Sequence, residues 1–144
     1  MINDIKNALS FIAGTWSEKN GIHEFSAVIA ERKAFLSKKK LTYVARFRID
    51  EEKKEVRFTE YLKESGMGLS GGTDMDMSPG FGFKTTTYKT GFGQPREENI
   101  NEQSDLFGKE YTYTFEWGAV RKAIEEVAIK NAYTYSYHVT SLGL

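Results

Sequence analysis

Alternation of apolar and polar residues is most regular between Leu41 and Leu62. In LTYVARFRID, Leu41, Tyr43, Ala45, Phe47 and Ile49 take every second place, with Val44 out of phase; in EVRFTEYLKE, Val56, Phe58 and Leu62 share one face. A period of two is that of a half-buried strand. The charged cluster DEEKK between the two runs is turn-like, so they predict a hairpin with the four-residue loop 51–54. Pairing Ile49 with Val56 then sets Phe47 against Phe58, Ala45 against Glu60 and Tyr43 against Leu62. The same register opposes Arg48 and Arg57, a like-charge cost that Asp50 and Glu55 offset from the diagonals.

Elsewhere the period lengthens. Ile5, Ala8, Leu9 and Ile12 recur at helical spacing behind Asn3, a good N-cap, with Gly14 as a stop, and predict a short amphipathic helix over 4–13. Trp117, Val120, Ile124, Val127 and Ala128 form a second stripe, opposite Lys122, Glu126 and Lys130 at i,i+4 spacing, and predict a helix over 117–131. Residues 22–36 are extended but untidy, as one long or bent strand would be. Further strands are expected in 81–89, in KEYTYTFEW with Tyr111, Tyr113, Phe115 and Trp117 on one face, and in YTYSYHV with Tyr133, Tyr135, Tyr137 and Val139 on one face; 94–108 reads as a polar loop.

Consecutive strands with short connections usually pair, which predicts an α+β, β-rich domain spanning 1–144. Its core would be one bent antiparallel sheet, open or partly closed into a barrel, with both helices packed on it.

Composition narrows the function more than the fold. The 20 basic and 20 acidic residues cancel, so no global field draws the protein to nucleic acid or an anionic membrane. Cysteine is absent, which excludes disulfides, thiolate nucleophiles and cysteine-ligated metals. Asp4, Lys6 and Asn7 interrupt the N-terminal apolar residues, unlike a signal peptide, and no window approaches a membrane span. Cytoplasmic residence is the expectation, and no cofactor is implied.

Eight of the 13 glycines fall between Gly66 and Gly93. Phosphate-cradling loops need glycine, but neither a GKS or GKT sequel nor GxGxxG between strand and helix is present. Turns and bulges in a bent sheet are the simplest reading. The other is a flap over a pocket, with Met67, Met75, Met77, Phe81, Phe83 and Phe92 as adaptable apolar surface.

Glu60 falls on the apolar face between Phe58 and Leu62. Either the strand twists out of the core there and the carboxylate is solvated, or Glu60 is held in a cavity. Held there, it could bind a ligand's cationic or hydroxyl group beside Tyr43, or act as a general base with a raised pKa. Asp74 and Asp76 lack the ligand spacing of a calcium loop and read as solvated loop residues. His23 and His138, the only histidines, sit on strands without a nucleophile signature and read as surface residues. Arg32, Lys33, Lys38, Lys39, Lys40, Arg46 and Arg48 gather into a basic region. That region could hold single-stranded nucleic acid or an acidic partner, but more simply marks a solvated edge that resists strand addition.

Gly14-Thr15-Trp16 behind a short N-terminal helix resembles the G-x-W opening of lipocalins, and the late helix followed by a final strand resembles their closing order. The resemblance implies a cupped antiparallel barrel carrying a small apolar ligand, with Trp16 plugging its closed end. The chain departs from that family in lacking a TDY motif and in showing too few strands for eight. These readings point to a non-catalytic module, monomeric or homodimeric, with a pocket under 66–93 for a small apolar ligand or a protein partner. An acid/base enzyme using Glu60 is the first alternative.

Overall fold

In a computed structural model the described residues are 1–34, 37–68, 83–87, 111, 115–138 and 141–144. They form α1 (Ile2–Ala8), β1 (Thr15–Lys19), β2 (Ile22–Ala34), β3 (Ser37–Asp50), β4 (Glu55–Gly68), β5 (Phe83–Thr87), α2 (Trp117–Lys130), β6 (Thr134–Tyr137) and a closing 3-10 turn, Ser141–Gly143. The protein is an α+β, β-rich fold built on one open sheet in the order β1-β2-β3-β4-β5. These five strands run antiparallel to their neighbours, whereas β6 joins parallel to the first part of β4. Among the described residues the sheet does not close into a barrel.

The β3–β4 hairpin has the register its alternation demands: Ile49 faces Val56, Phe47 faces Phe58, Ala45 faces Glu60 and Tyr43 faces Leu62. These apolar side chains line the inner face and are buried almost completely, apart from the half-buried Ile49. Burying each large one contributes about 1.5–3 kcal/mol. Val44, out of phase in the sequence, is buried on the outer face.

Helix α2 begins where the sequence places it and lays Val120, Ile124 and Ala128 on the inner face. Lys122 and Glu126 pair across one turn on its exposed side. Helix α1 buries Ile5 and is followed by Leu9, which enters the same core. It begins two residues before the sequence reading and stops at Ala8 instead of 13. The Met1 carbonyl accepts from the amides of Asp4 and Ile5, so Met1 rather than Asn3 is the cap, and from Leu9 the chain continues as turns.

Gly14 therefore ends no helix. A Cβ there would lie 2.3 Å from the Phe25 ring and 2.8 Å from the Ser26 carbonyl oxygen, so close approach of backbone to β2 is what requires glycine. Strand β1 escaped the sequence reading altogether. Its turn, Asn20-Gly21, has both φ angles positive (55° and 74°), as a type I′ hairpin turn requires. Trp16 on β1 packs its ring 5.0 Å from that of Phe25, with the Lys6 ammonium 5.6 Å from its centroid, and so ties α1 to the sheet.

Among the described residues no helix is long and apolar enough to cross a membrane. The strand expected in 81–89 is β5. The strand expected in 109–117 lies mostly outside the described residues, though Phe115 and Glu116 are not in a strand.

Candidate functional site

β4 is long enough to serve two neighbours on one edge. Residues Glu55 to Phe58 pair with β6 and Lys63 to Met67 pair with β5, so Glu60 stands midway between the two pairings. Its side chain points to the inner face and is fully buried. The solvated Glu60 of the sequence reading is thus corrected: strand alternation holds through this point, and a cation arrives from elsewhere in the chain.

That cation is Arg121. On α2 it follows Val120 on the flank of the apolar stripe, so its stem is buried and its head reaches the sheet. Its Nε donates to Glu60 Oε1 at 3.0 Å and Nη2 donates to the same oxygen. Tyr43 Oη, on the neighbouring strand, donates to Oε2 at 2.5 Å. Tyr137 from β6 adds a hydrogen bond to the carboxylate, and its ring lies 5.0 Å from the Arg121 guanidinium carbon. Four elements, β3, β4, α2 and β6, thus converge on one carboxylate.

Burial pushes the Glu60 carboxyl above its ordinary range, against the opposing pull of Arg121 and the tyrosine hydroxyls. Desolvation disfavours the charged guanidinium too, yet the carboxylate beside it more than offsets this and the Arg121 pKa stands above its usual value. The two shifts favour opposite states of the pair. We take it as ionised at neutral pH, because three kinds of donor converge on the carboxylate and a neutral carboxyl would waste them. Tyr43 is raised well above its ordinary value, by burial first and Glu60 second, so it remains a donor. Burial and Glu60 also raise Tyr135, whose Oη is out of solvent and has no hydrogen-bond partner among the described residues.

Two pleat periods further along the same face, Glu64 accepts from Lys39 Nζ at 3.3 Å and from the hydroxyl of the buried Tyr111 at 2.8 Å. Beside the Glu60 cluster, a concavity of 520 Å³ opens at the N-terminal end of α2, lined by Phe115, Glu116, Trp117, Gly118, Ala119 and Lys122. The Phe115 ring stacks at a tilt 4.9 Å from Tyr43, so one aromatic layer separates this space from the charged cluster.

Of the residues expected to contact a ligand, Glu60 and Tyr43 come together. Met67 and Phe83 face each other in the β4–β5 register. Met75, Met77, Phe81 and Phe92 lie outside the described residues, as do Asp74 and Asp76. The histidines are half-buried rather than on the open surface. His23 Nδ1 lies 3.5 Å from Glu18, against the Phe47 ring, and His138 Nε2 lies 3.3 Å from Ser136 Oγ. Ser136 stands opposite Arg57 on the outer face, so His138 and Glu60 serve opposite sides of the sheet.

The basic region is largely matched by acid. Lys38 and Lys40 both reach Glu31, Lys39 reaches Glu64, and Arg46 reaches Glu24 at 2.5 Å while stacking on Tyr61. Arg32 and Lys33 stand opposite Lys39 and Lys38 at the far end of the β2–β3 hairpin, and among the described residues Arg48 donates to the Asn20 carbonyl alone. Among the described residues no cluster of three or more His, Asp or Glu side chains could hold a metal.

Sequence reasoning missed Arg121, Tyr135, Tyr137 and the Phe115–Lys122 concavity as parts of one locality. A signal for Arg121 existed: a carboxylate on an apolar strand face calls for a cation, and Arg121 is the charged residue that borders the α2 stripe. Comparison of the chain with protein-family models, curated proteins and solved structures gave no match.

Proposed function

We propose that this protein is a non-catalytic module that binds a small, largely apolar molecule in the concavity at the N-terminal end of α2. The observation that carries the reading is the joining of that 520 Å³ space, which is of ligand size, to a fixed polar cluster. Phe115, Trp117 and Ala119 offer apolar contact, and Lys122 and Glu116 stand at its polar rim. Tyr43 and Glu60 form the floor behind Phe115.

Binding is favoured over acid/base chemistry because Glu60 is already enclosed by Arg121, Tyr43 and Tyr137 and has no exposed surface with which to meet a substrate. The carboxylate acts instead as a clamp that fixes α2 to the sheet and so holds the concavity open.

Native mass spectrometry of gently purified protein tests this. A small-molecule adduct that is lost on denaturation, and that diminishes in Trp117→Ala and Ala119→Trp variants, is expected. A bare chain that also takes up no fluorescent apolar probe quenched by those variants would overturn it.

A further inference from the structure

On the outer face of the sheet, away from that concavity, one cross-strand row reads Ile22, Arg48, Arg57, Ser136. Like charges placed directly opposite one another repel, and here they stand on adjacent central strands. Compensation is lopsided. Arg57 lies between Asp50, at 3.4 Å from Nη2, and Glu55, at 3.6 Å from Nε, and its Nη1 donates to the Gly143 carbonyl at 3.4 Å. All three contacts are long. Arg48 has no carboxylate within ion-pair distance among the described residues, and its one hydrogen bond is from Nη2 to the Asn20 carbonyl at 3.0 Å.

Both Nε atoms are out of solvent; among the described residues Arg48 Nε has no hydrogen-bond partner, and Arg57 Nε has only the long ion pair with Glu55. A half-buried guanidinium whose N–H groups lack close acceptors is costly, and two of them on one cross-strand row are best served by one acceptor with several oxygens. The guanidinium fork matches an oxyanion better than it matches a single carbonyl. Ser136 Oγ, at the end of the same row and joined to His138 Nε2, supplies further polar contact at this place. Asp50 and Glu55 form the next pair on the same face, and both turn to Arg57.

We propose that Arg48 and Arg57 together bind one small oxyanion of the phosphate type on the outer face of the sheet. The anion bridges the two guanidinium groups through their Nη donors and neutralises the charge that Arg48 carries alone. This site is independent of the α2 concavity and stands or falls separately from it.

Thermal unfolding in inorganic phosphate, against chloride at matched ionic strength and pH, tests the proposal. A saturable rise in Tm is expected for the wild type, and loss of that rise for both Arg48→Gln and Arg57→Gln. Arg48→Lys preserves the charge without the fork, so it folds under the same electrostatics; at least a tenfold weaker phosphate response is expected from it. Lys130→Gln, which removes an exposed cation in the last turn of α2, should leave the response unchanged. A wild-type shift no larger than that in chloride, or a response that survives in Arg48→Gln, overturns the assignment.

Discussion

Arg121 and Glu60, 61 positions apart in sequence, meet with Nε 3.0 Å from Oε1 at the interface between α2 and the sheet. Removing one partner leaves the other charge buried and uncompensated. Arg121→Met should therefore cost about 3–5 kcal/mol, whereas Glu60→Met combined with Arg121→Met should recover most of that loss or exceed wild-type stability. Urea unfolding of the single and double variants measures both. A double variant no more stable than Arg121→Met would show that the pair is not what holds α2 on the sheet.

Protonation of Glu60 gives stability a pH dependence of definite sign. Because burial raises its pKa, the native state holds a proton between the ordinary value of 4.5 and the folded value, over a range where the unfolded chain has lost it. The stability this group contributes is complete below 4.5 and is lost as pH rises through the folded value. The stability of wild type relative to Glu60→Gln should thus fall as pH is raised from the acid side toward neutrality. A difference that grows with pH would mean that Arg121 and the tyrosines outweigh desolvation.

Gly14 and Gly118 make opposite predictions for the same substitution. An added methyl at Gly14 would meet the Phe25 ring and the Ser26 carbonyl, and the carbonyl cannot rotate away. Gly14→Ala should cost about 1–3 kcal/mol. Gly118 is within α2 and a Cβ there meets nothing within 4 Å, so Gly118→Ala should stabilise by about 0.5–1 kcal/mol. Paired thermal melts decide the matter, and equal effects at the two sites would contradict the packing described for β1.

The Asn20-Gly21 turn fixes the register of β1. Gly21 has φ 74° in open space, so a side chain added there is limited by conformation and not by room. Gly21→Val should destabilise by about 1–2 kcal/mol, and Asn20→Gly should be tolerated within about 0.5 kcal/mol. Chemical denaturation tests both; a neutral Gly21→Val would show that β1 does not depend on this turn.

The β3–β4 hairpin, its register and the stripe of α2 were legible in the sequence because each rests on local periodicity. A one-residue slip would expose every core residue of a strand, so alternation alone specifies the pairing. The Arg48–Arg57 opposition with its acidic neighbours followed from the same register. Strand β1 was legible in principle, through Asn20-Gly21, but its five residues alternate too weakly to announce themselves. Tertiary structure decided what periodicity cannot carry. It placed Arg121 and Tyr137 on Glu60, set β6 parallel beside the first half of β4, and left Arg48 Nε without an acceptor among the described residues. Each of these depends on which distant segments share a few ångströms of space, and the sequence records the demand of a buried charge for a partner without recording where that partner lies.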